Sequence, residues 1–231
     1  MSGNKKENPA PVIERDCVEP LFDSKFLHVY DLKYAPGRHY YDARRRQADE
    51  LAAVKNPEEF RNMIPDAVSC FVILLTEGME PRILLSREYR YPAGRFLLSV
   101  PAGLIDPADM DEESPALTAA AREIHEETGL TLGENDRIKL VNPFVFSTPG
   151  MTDESNALVC ALIHVPDEQT LVSALTQEGA VGSEKFDGFV LMDREQALRT
   201  LADGRDGEGN FYPVYTWMAL MYFLSGMWRE E

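Results

Sequence analysis

The amino-acid sequence predicts an α+β fold in which strands enclose one central helix. Three observations carry that expectation. Residues 68–76, VSCFVILLT, form a short, continuous, β-branched run, as a strand buried on both faces requires. Residues 82–89, RILLSREY, repeat this character after a Glu77-Gly78 turn, and further strand candidates follow at 96–100, 141–147, 157–165 and 189–192. Between them, residues 115–128 show helical spacing with a start signal and a stop signal.

Taken in order, residues 1 to about 11 are polar, hold two prolines and are expected to be disordered. Residues 26–34, FLHVYDLKY, have strand composition, Pro36-Gly37 makes a turn, and residues 38–45 return, which predicts a β-hairpin. Residues 48–63 are polar and are expected to hold a short helix interrupted by Pro57. A boundary near Pro65 then separates an N-terminal extension carrying the hairpin, residues 1–64, from a main domain, residues 65–231. At the other end, residues 215–228 are mostly apolar over a helical length too short to span a bilayer, so a packed terminal helix is expected.

A formal net charge of −16 over 231 residues opposes nonspecific binding to nucleic acid, which depends on phosphate neutralisation by Lys and Arg. It also repels anionic small molecules. A phosphorylated ligand would need a cation and locally concentrated arginines to bind against that field. Cys17, Cys70 and Cys160 are odd in number and widely separated, and they read as free thiols. No run approaches the roughly 20 apolar residues of a membrane span. The N-terminus lacks the apolar core of a signal peptide, so the expected location is the cytoplasm.

The central helix carries the chemistry. Ser114 suits the N-cap and Pro115 the first helical position, while Gly129 followed by Leu130 supplies a left-handed C-cap. At 100° per residue Leu117, Ala120, Ala121, Ile124 and Thr128 gather on one side, and Arg122, Glu123, Glu126 and Glu127 on the other. The i,i+4 pair Glu123 and Glu127 costs roughly 0.2–0.5 kcal/mol by repulsion. Carboxylates at this spacing suit a hard divalent cation such as Mg2+. They equally suit a solvated charged face, the commoner use of such spacing.

The run Arg122-Glu123-Ile124-His125-Glu126-Glu127-Thr128-Gly129-Leu130 resembles the second half of the Nudix box, with Gly103 as its first glycine. That resemblance implies a Nudix fold, mixed β-sheets sandwiched by helices, here with an N-terminal β-hairpin extension. It implies metal-ligand roles for Glu123 and Glu127, with Glu126 ligating or supporting, and a structural pairing of Arg122 with an acid earlier in the box. The stretch from Gly103 to Arg122 is five residues longer than the family pattern. The paired acid therefore falls on Asp109 counted forward or Ser114 counted back, with Glu112 and Glu113 close by.

Other segments resemble the ADP-ribose pyrophosphatase subgroup. Residues 101–106, PAGLID, read like its approach to the box, and Arg87-Glu88-Tyr89-Arg90 like the preceding strand, which makes Arg90 a phosphate-binding candidate. Ser99 departs from the glutamate that these enzymes often place there. The sequence Ser147-Thr148-Pro149-Gly150-Met151-Thr152-Asp153-Glu154 is similar to a loop that supplies an acid able to activate water, which implies Glu154. Without the resemblance Pro149-Gly150 is simply a turn. The hairpin is similar to one that exchanges between subunits of a homodimer and offers rings to the adenine. By position those rings are Phe26 and Tyr41, with Arg46 nearby; local cross-strand packing is the competing use of such aromatics.

The resemblance implies hydrolysis of a nucleoside diphosphate sugar between its phosphates, with ADP-ribose giving AMP and ribose 5-phosphate as the favoured case. Mg2+, replaceable by Mn2+, would be held by Glu123, Glu127 and the Ala102 carbonyl, Glu126 and Glu127 would act in catalysis, and Glu154 would take the proton of water. The alternatives are GDP-mannose or another nucleoside diphosphate derivative as substrate, or an inactive Nudix-fold module that only binds a nucleotide.

Overall fold

The computed structural model describes residues 10–177 and 184–229. Most of the amino-terminal stretch expected to be disordered, residues 1–9, lies outside the described residues. The chain divides into two compact units. One comprises Met1–Ile64 with Phe146–Ser155, the other Pro65–Val145 with Asn156–Glu231.

The first unit is built on a three-stranded antiparallel sheet, β1 (Val18–Asp23), β2 (His28–Ala35) and β3 (Arg38–Arg44), in that order. Strands β2 and β3 form the expected hairpin, in which Tyr30 faces Asp42 and Asp31 faces Tyr41. Gly37 closes it at φ 67°, a left-handed position that a side chain would strain. Strand β1 was not expected. Its Pro20 removes a donor and obscures the pattern, and the register shifts between Pro20 and Phe22 as it does at tolerated edge prolines. Tyr30, Leu32 and Leu51 make the small core. Helix α1 (Pro57–Arg61) corrects the reading of Pro57: the proline opens the helix, and Asn56 caps it by accepting from the amides of Glu58 and Glu59.

The second unit is a mixed sheet of seven strands. They are β4 (Ala67–Thr76), β5 (Arg82–Arg90), β6 (Arg95–Ser99), β7 (Ala102–Leu104), β8 (Arg137–Phe146), β9 (Ser155–Val165) and β10 (Phe186–Met192). The main order is β10-β5-β4-β9-β8, with β6 added on β5 and β7 on β4. Strand β4 is central and runs parallel to β9. Its alternate residues feed two cores, as a strand buried on both faces must. Val68, Cys70, Val72 and Leu74 pack with Ala119, Ala120 and Ile124 of α2 (Pro115–Thr128). Phe71 and Ile73 pack with Ala219, Leu220 and Phe223 of α5 (Val214–Ser225). The unit is therefore an α+β sandwich with helices on both faces of the sheet.

Two short helices, α3 (Glu168–Ala174) and α4 (Arg194–Asp203), were not expected, although Asp167 and Asp193 cap them through the amides of Thr170 and Gln196. The terminal helix stops at Gly226, φ 76°, and Trp228 follows in a 3-10 turn. Cys17, Cys70 and Cys160 are free. No helix among the described residues is long and apolar enough to cross a membrane.

Candidate active site

Helix α2 has the predicted bounds. Pro115 begins it, and Gly129 ends it at φ 76° while donating to the His125 carbonyl. Ser114 occupies the N-cap position but its hydroxyl makes no capping bond, which corrects the role given to it. Ala119, Ala120, Ile124 and Thr128 are buried against the sheet, whereas Leu117 and Ala121 are only half-buried.

The larger correction concerns the acidic side. Glu123 and Glu127 are 9% and 5% exposed, so this face is covered. Its cover is the turn leading through β7, which β4 holds by pairing Ser69 with Ala102 and Val68 with Gly103. The Ala102 backbone amide hydrogen-bonds Glu127. At Gly103 a Cβ would overlap the Glu123 carboxyl group, so glycine leaves that carboxyl its present position and any side chain would displace it. Helical periodicity sorts residues into faces, but the strand that covers a face comes from elsewhere in the chain.

Both carboxyls are costly as isolated anions. Burial, then the charge of Glu88, then that of Glu123 push Glu127 well above the usual carboxylate range. Burial also raises Glu123, against the opposing pull of Arg122. Glu127 Oε2 is buried with no hydrogen-bond partner among the described residues. An orphaned carboxylate oxygen beside a second buried carboxylate fits a hard, oxygen-seeking divalent cation, which would supply the missing charge. Among the described residues no three His, Cys, Asp or Glu side chains already converge as ligands. Two arginines hold carboxylates in this part of the unit.

Arg122 is the first. Its guanidinium meets Glu123 at 2.7 Å, Glu126 at 3.3 Å, the Leu104 carbonyl at 2.9 Å and Asp109 at 3.0 Å. Asp109 is buried and also accepts the Asp106 amide, so of the acids left open by the lengthened loop it is the one that pairs with Arg122. Arg90 is the second, 2.5 Å from Glu88 at the end of β5. Glu88 is 8% exposed and was not among the expected site residues. Its signal was the alternation of β5, legible only once the two cores are known.

The remaining candidates lie in the first unit. Glu154 is part-exposed; its amide donates to the Thr152 hydroxyl at 3.1 Å, and the Ser147 amide donates to its carbonyl at 2.9 Å. The loop before it is clasped to β3. Tyr40 donates to the Gly150 carbonyl at 2.9 Å, Ala43 to the Met151 carbonyl at 3.1 Å, and the Asp153 amide to Asp42 at 3.2 Å. Asp153 in turn pairs with buried Arg44 and accepts the Ala52 amide at 2.7 Å. Tyr41 is 57% exposed on β3. Phe26 is 68% exposed in the β1–β2 connection, off the hairpin strands, with the Lys25 ammonium over its ring. Arg46 donates to the Ile64 carbonyl at 2.8 Å. Asp42, Arg44 and Asp153 were missed because their pairing spans about a hundred residues of chain.

A helix with buried carboxylates, packed on a mixed sheet and faced by a Pro-Ala-Gly turn, is the construction of an acidic cation site. The chain belongs to the Nudix family: the NUDIX domain model matches residues 63–215, well over half its length. It is similar to an ADP-ribose pyrophosphatase of Saccharomyces cerevisiae, 29% identical over 174 residues, which are 74% of this chain and 68% of that protein. It is similar to an ADP-ribose pyrophosphatase of Bacillus subtilis, 28% identical over 206 residues and 88% of each chain. A putative Nudix hydrolase 2 of Caenorhabditis elegans is 36% identical over 112 residues, 48% of this chain and 46% of that protein. The chain thus spans about half the length of the nematode relative and most of the bacterial one. A crystal structure of an ADP compounds hydrolase shares the fold, with a TM-score of 0.53 at 19% identity over 92% of this chain and 94% of that one.

Proposed function

We propose that this chain is a Mg2+-dependent hydrolase of nucleoside diphosphate sugars, with ADP-ribose as the favoured substrate. The observation that carries the reading is the buried Oε2 of Glu127, unpartnered among the described residues, beside Glu123, whose carboxyl fills the space that glycine at 103 leaves open. Pyrophosphatases of ADP-ribose among its relatives support the substrate class.

In this reading Glu123, Glu127 and the Ala102 carbonyl hold the cation, and Glu126 supports them from the same helix. Mg2+ when bound neutralises diphosphate charge and lowers the pKa of water; Mn2+ can replace it. Glu154 accepts the proton of the attacking water. A new oxygen–phosphorus bond forms, the bridging oxygen–phosphorus bond breaks, and AMP and ribose 5-phosphate leave. Arg90 binds non-bridging oxygens through its planar fork, a geometry lysine cannot reproduce. Residues 65–231 perform the cleavage, while Phe26, Tyr41 and Arg46 of residues 1–64 hold the nucleoside, with the hairpin exchanged in a homodimer.

The deciding experiment incubates the full chain and Mg2+ with ADP-ribose, ADP-glucose, GDP-mannose and a dinucleoside polyphosphate, and resolves the products by chromatography. AMP and ribose 5-phosphate from ADP-ribose, formed faster than products of the others, are expected. Faster release of GMP from GDP-mannose would move the specificity, and binding with no cleavage would make the chain a nucleotide-binding module.

A further inference from the structure

We propose that Glu88 is a further carboxylate of the cation site and that Arg90 is its alternate partner, so that cation binding releases Arg90 to the diphosphate. This inference rests on the cation reading of Glu123 and Glu127 given above.

The placement of Glu88 follows from its strand. Ile83 and Leu85 of β5 enter the core under α5, and Leu84 enters the core under α2. Side chains alternate along a strand, so Ser86, Glu88 and Arg90 continue the α2 face. The pairing with β6 runs without a shift from Ser86–Ser99 to Arg90–Arg95, and the register shift on the other edge puts its extra residue between Phe186 and Phe189 of β10, so β5 keeps its alternation. Glu88 therefore lies on the face of the sheet that α2, the helix carrying Glu123 and Glu127, packs against. Its charge acts on Glu127 more strongly than that of Glu123, one turn away on the same helix. Glu184 acts on all three carboxyls, which places them in one electrostatic neighbourhood.

Glu88 is also a poor candidate for a simple surface ion pair. Its side chain is almost covered, while that of Arg90 is nearly half exposed, so the arginine is the mobile member. A divalent cation shared with Glu123 and Glu127 would satisfy Glu88 more fully than a part-exposed guanidinium and the Ser99 hydroxyl do, because a buried carboxylate gains most from a close, concentrated charge. Arg90 would then lose its anion and gain a vacant fork. A substrate diphosphate offers the replacement. Cation and diphosphate binding would thereby be coupled through one arginine, and that coupling is reciprocal.

The test uses the full chain without substrate and reads Mn2+ binding by electron paramagnetic resonance. Glu88→Gln is expected to weaken Mn2+ by about 10-fold or more, the range typical of lost metal-site partners. Arg90→Ala is expected to leave Mn2+ affinity equal or tighter, since it removes the competitor for Glu88. In the presence of chelator, Glu88→Gln should bind a methylene-bridged ADP analogue more tightly than wild type, because Arg90 is free. A merely structural Glu88–Arg90 pair predicts the reverse: both variants lose thermal stability and neither changes Mn2+ affinity selectively. Circular dichroism establishes the fold of each variant, and Arg90→Ala alone decides the competition if Glu88→Gln fails to fold. Unchanged Mn2+ affinity in Glu88→Gln, or weakened affinity in Arg90→Ala, overturns the proposal. Glu127→Gln separates the two readings: if it too binds Mn2+ normally, the cation site itself is wrong, whereas if it alone loses Mn2+, only the role of Glu88 fails.

Discussion

Gly103 and Glu123 share one space: the carboxyl group of Glu123 occupies the volume that any β-carbon on Gly103 would need. Gly103→Ala must therefore displace that carboxyl. Because the obstructing group is the far end of a flexible side chain, the shift is cheap for folding, and the change in stability is expected to stay within about 1 kcal/mol. Mn2+ affinity should fall at least about tenfold through loss of a positioned ligand. Calorimetric titration checks this, and a Gly103→Ala protein with wild-type affinity would remove Glu123 from the site.

Glu127→Gln should abolish most turnover and yet stabilise the protein in chelator. Burial and neighbouring carboxylates raise Glu127, so its contribution to stability is present below the ordinary carboxylate range and lost as pH rises through its raised folded value. At pH 8, far above the ordinary carboxylate range, the carboxyl must either stay protonated or carry a desolvated charge, and glutamine should gain on the order of 1–3 kcal/mol over it. Toward pH 4 the difference should vanish. Thermal melts with chelator at both pH values test the sign, and added Mg2+ should stabilise wild type alone.

How much of this was legible follows from where each signal resides. The bounds of α2 are local, set by Pro115 and Gly129, and β4 and β9 announce themselves as mostly apolar, β-branched runs. The burial of Glu123 and Glu127 is not local, because β7 reaches them only through its pairing with β4. The choice of Asp109 for Arg122 needed the fold of a lengthened loop, where counting from either end gave different answers. Glu88 sits in plain view in Arg87-Glu88-Tyr89-Arg90, yet its direction depends on which core Leu84 enters. Pro20 hid β1 by breaking the very pattern that identifies strands.

Asp42 gives a pH test in the other unit. Its carboxyl is pushed up to about 6, first by burial and then by Asp153, against the pull of Arg44. A raised pKa contributes stability below the unfolded value, near 4, which is lost as pH rises through about 6. Asp42→Asn retains an oxygen to accept the Asp153 amide and removes the charge. Relative to wild type it should gain on the order of 2–3 kcal/mol at pH 8 and nothing at pH 4. Urea midpoints at the two pH values measure this, and a pH-independent difference would show that Asp42 does not titrate there.

Glu154→Gln separates base from ligand. If Glu154 accepts the proton, kcat should drop by about 10²–10⁴ while the Mg2+ concentration for half-activation stays fixed. Retained kcat with a higher Mg2+ requirement would make Glu154 a ligand and move the base elsewhere, with Glu126 the next candidate.

The last prediction joins the hairpin to specificity. Among the described residues its sheet has three strands and a small core of Tyr30, Leu32 and Leu51 with Ile13, Val18, Ala48 and Val54 packed against it, while Leu21, Phe22, Phe26 and Tyr41 remain exposed. Apolar side chains gathered on so small a sheet call for a covering surface, and a second copy of the chain is the one we propose. An aromatic ring stacked on a purine contributes about 1–3 kcal/mol. Tyr41→Ala should then raise KM for ADP-ribose roughly 5- to 150-fold while sparing kcat, since stacking remote from the reacting phosphorus is equal in ground and transition states. Tyr40 is a fitting control, because its hydroxyl already serves Gly150. Tyr40→Phe should leave the ring in place and KM unchanged. Light scattering at micromolar concentration tests the dimer independently. A strictly monomeric protein rules out the exchange, and an unchanged KM in Tyr41→Ala returns that ring to local packing.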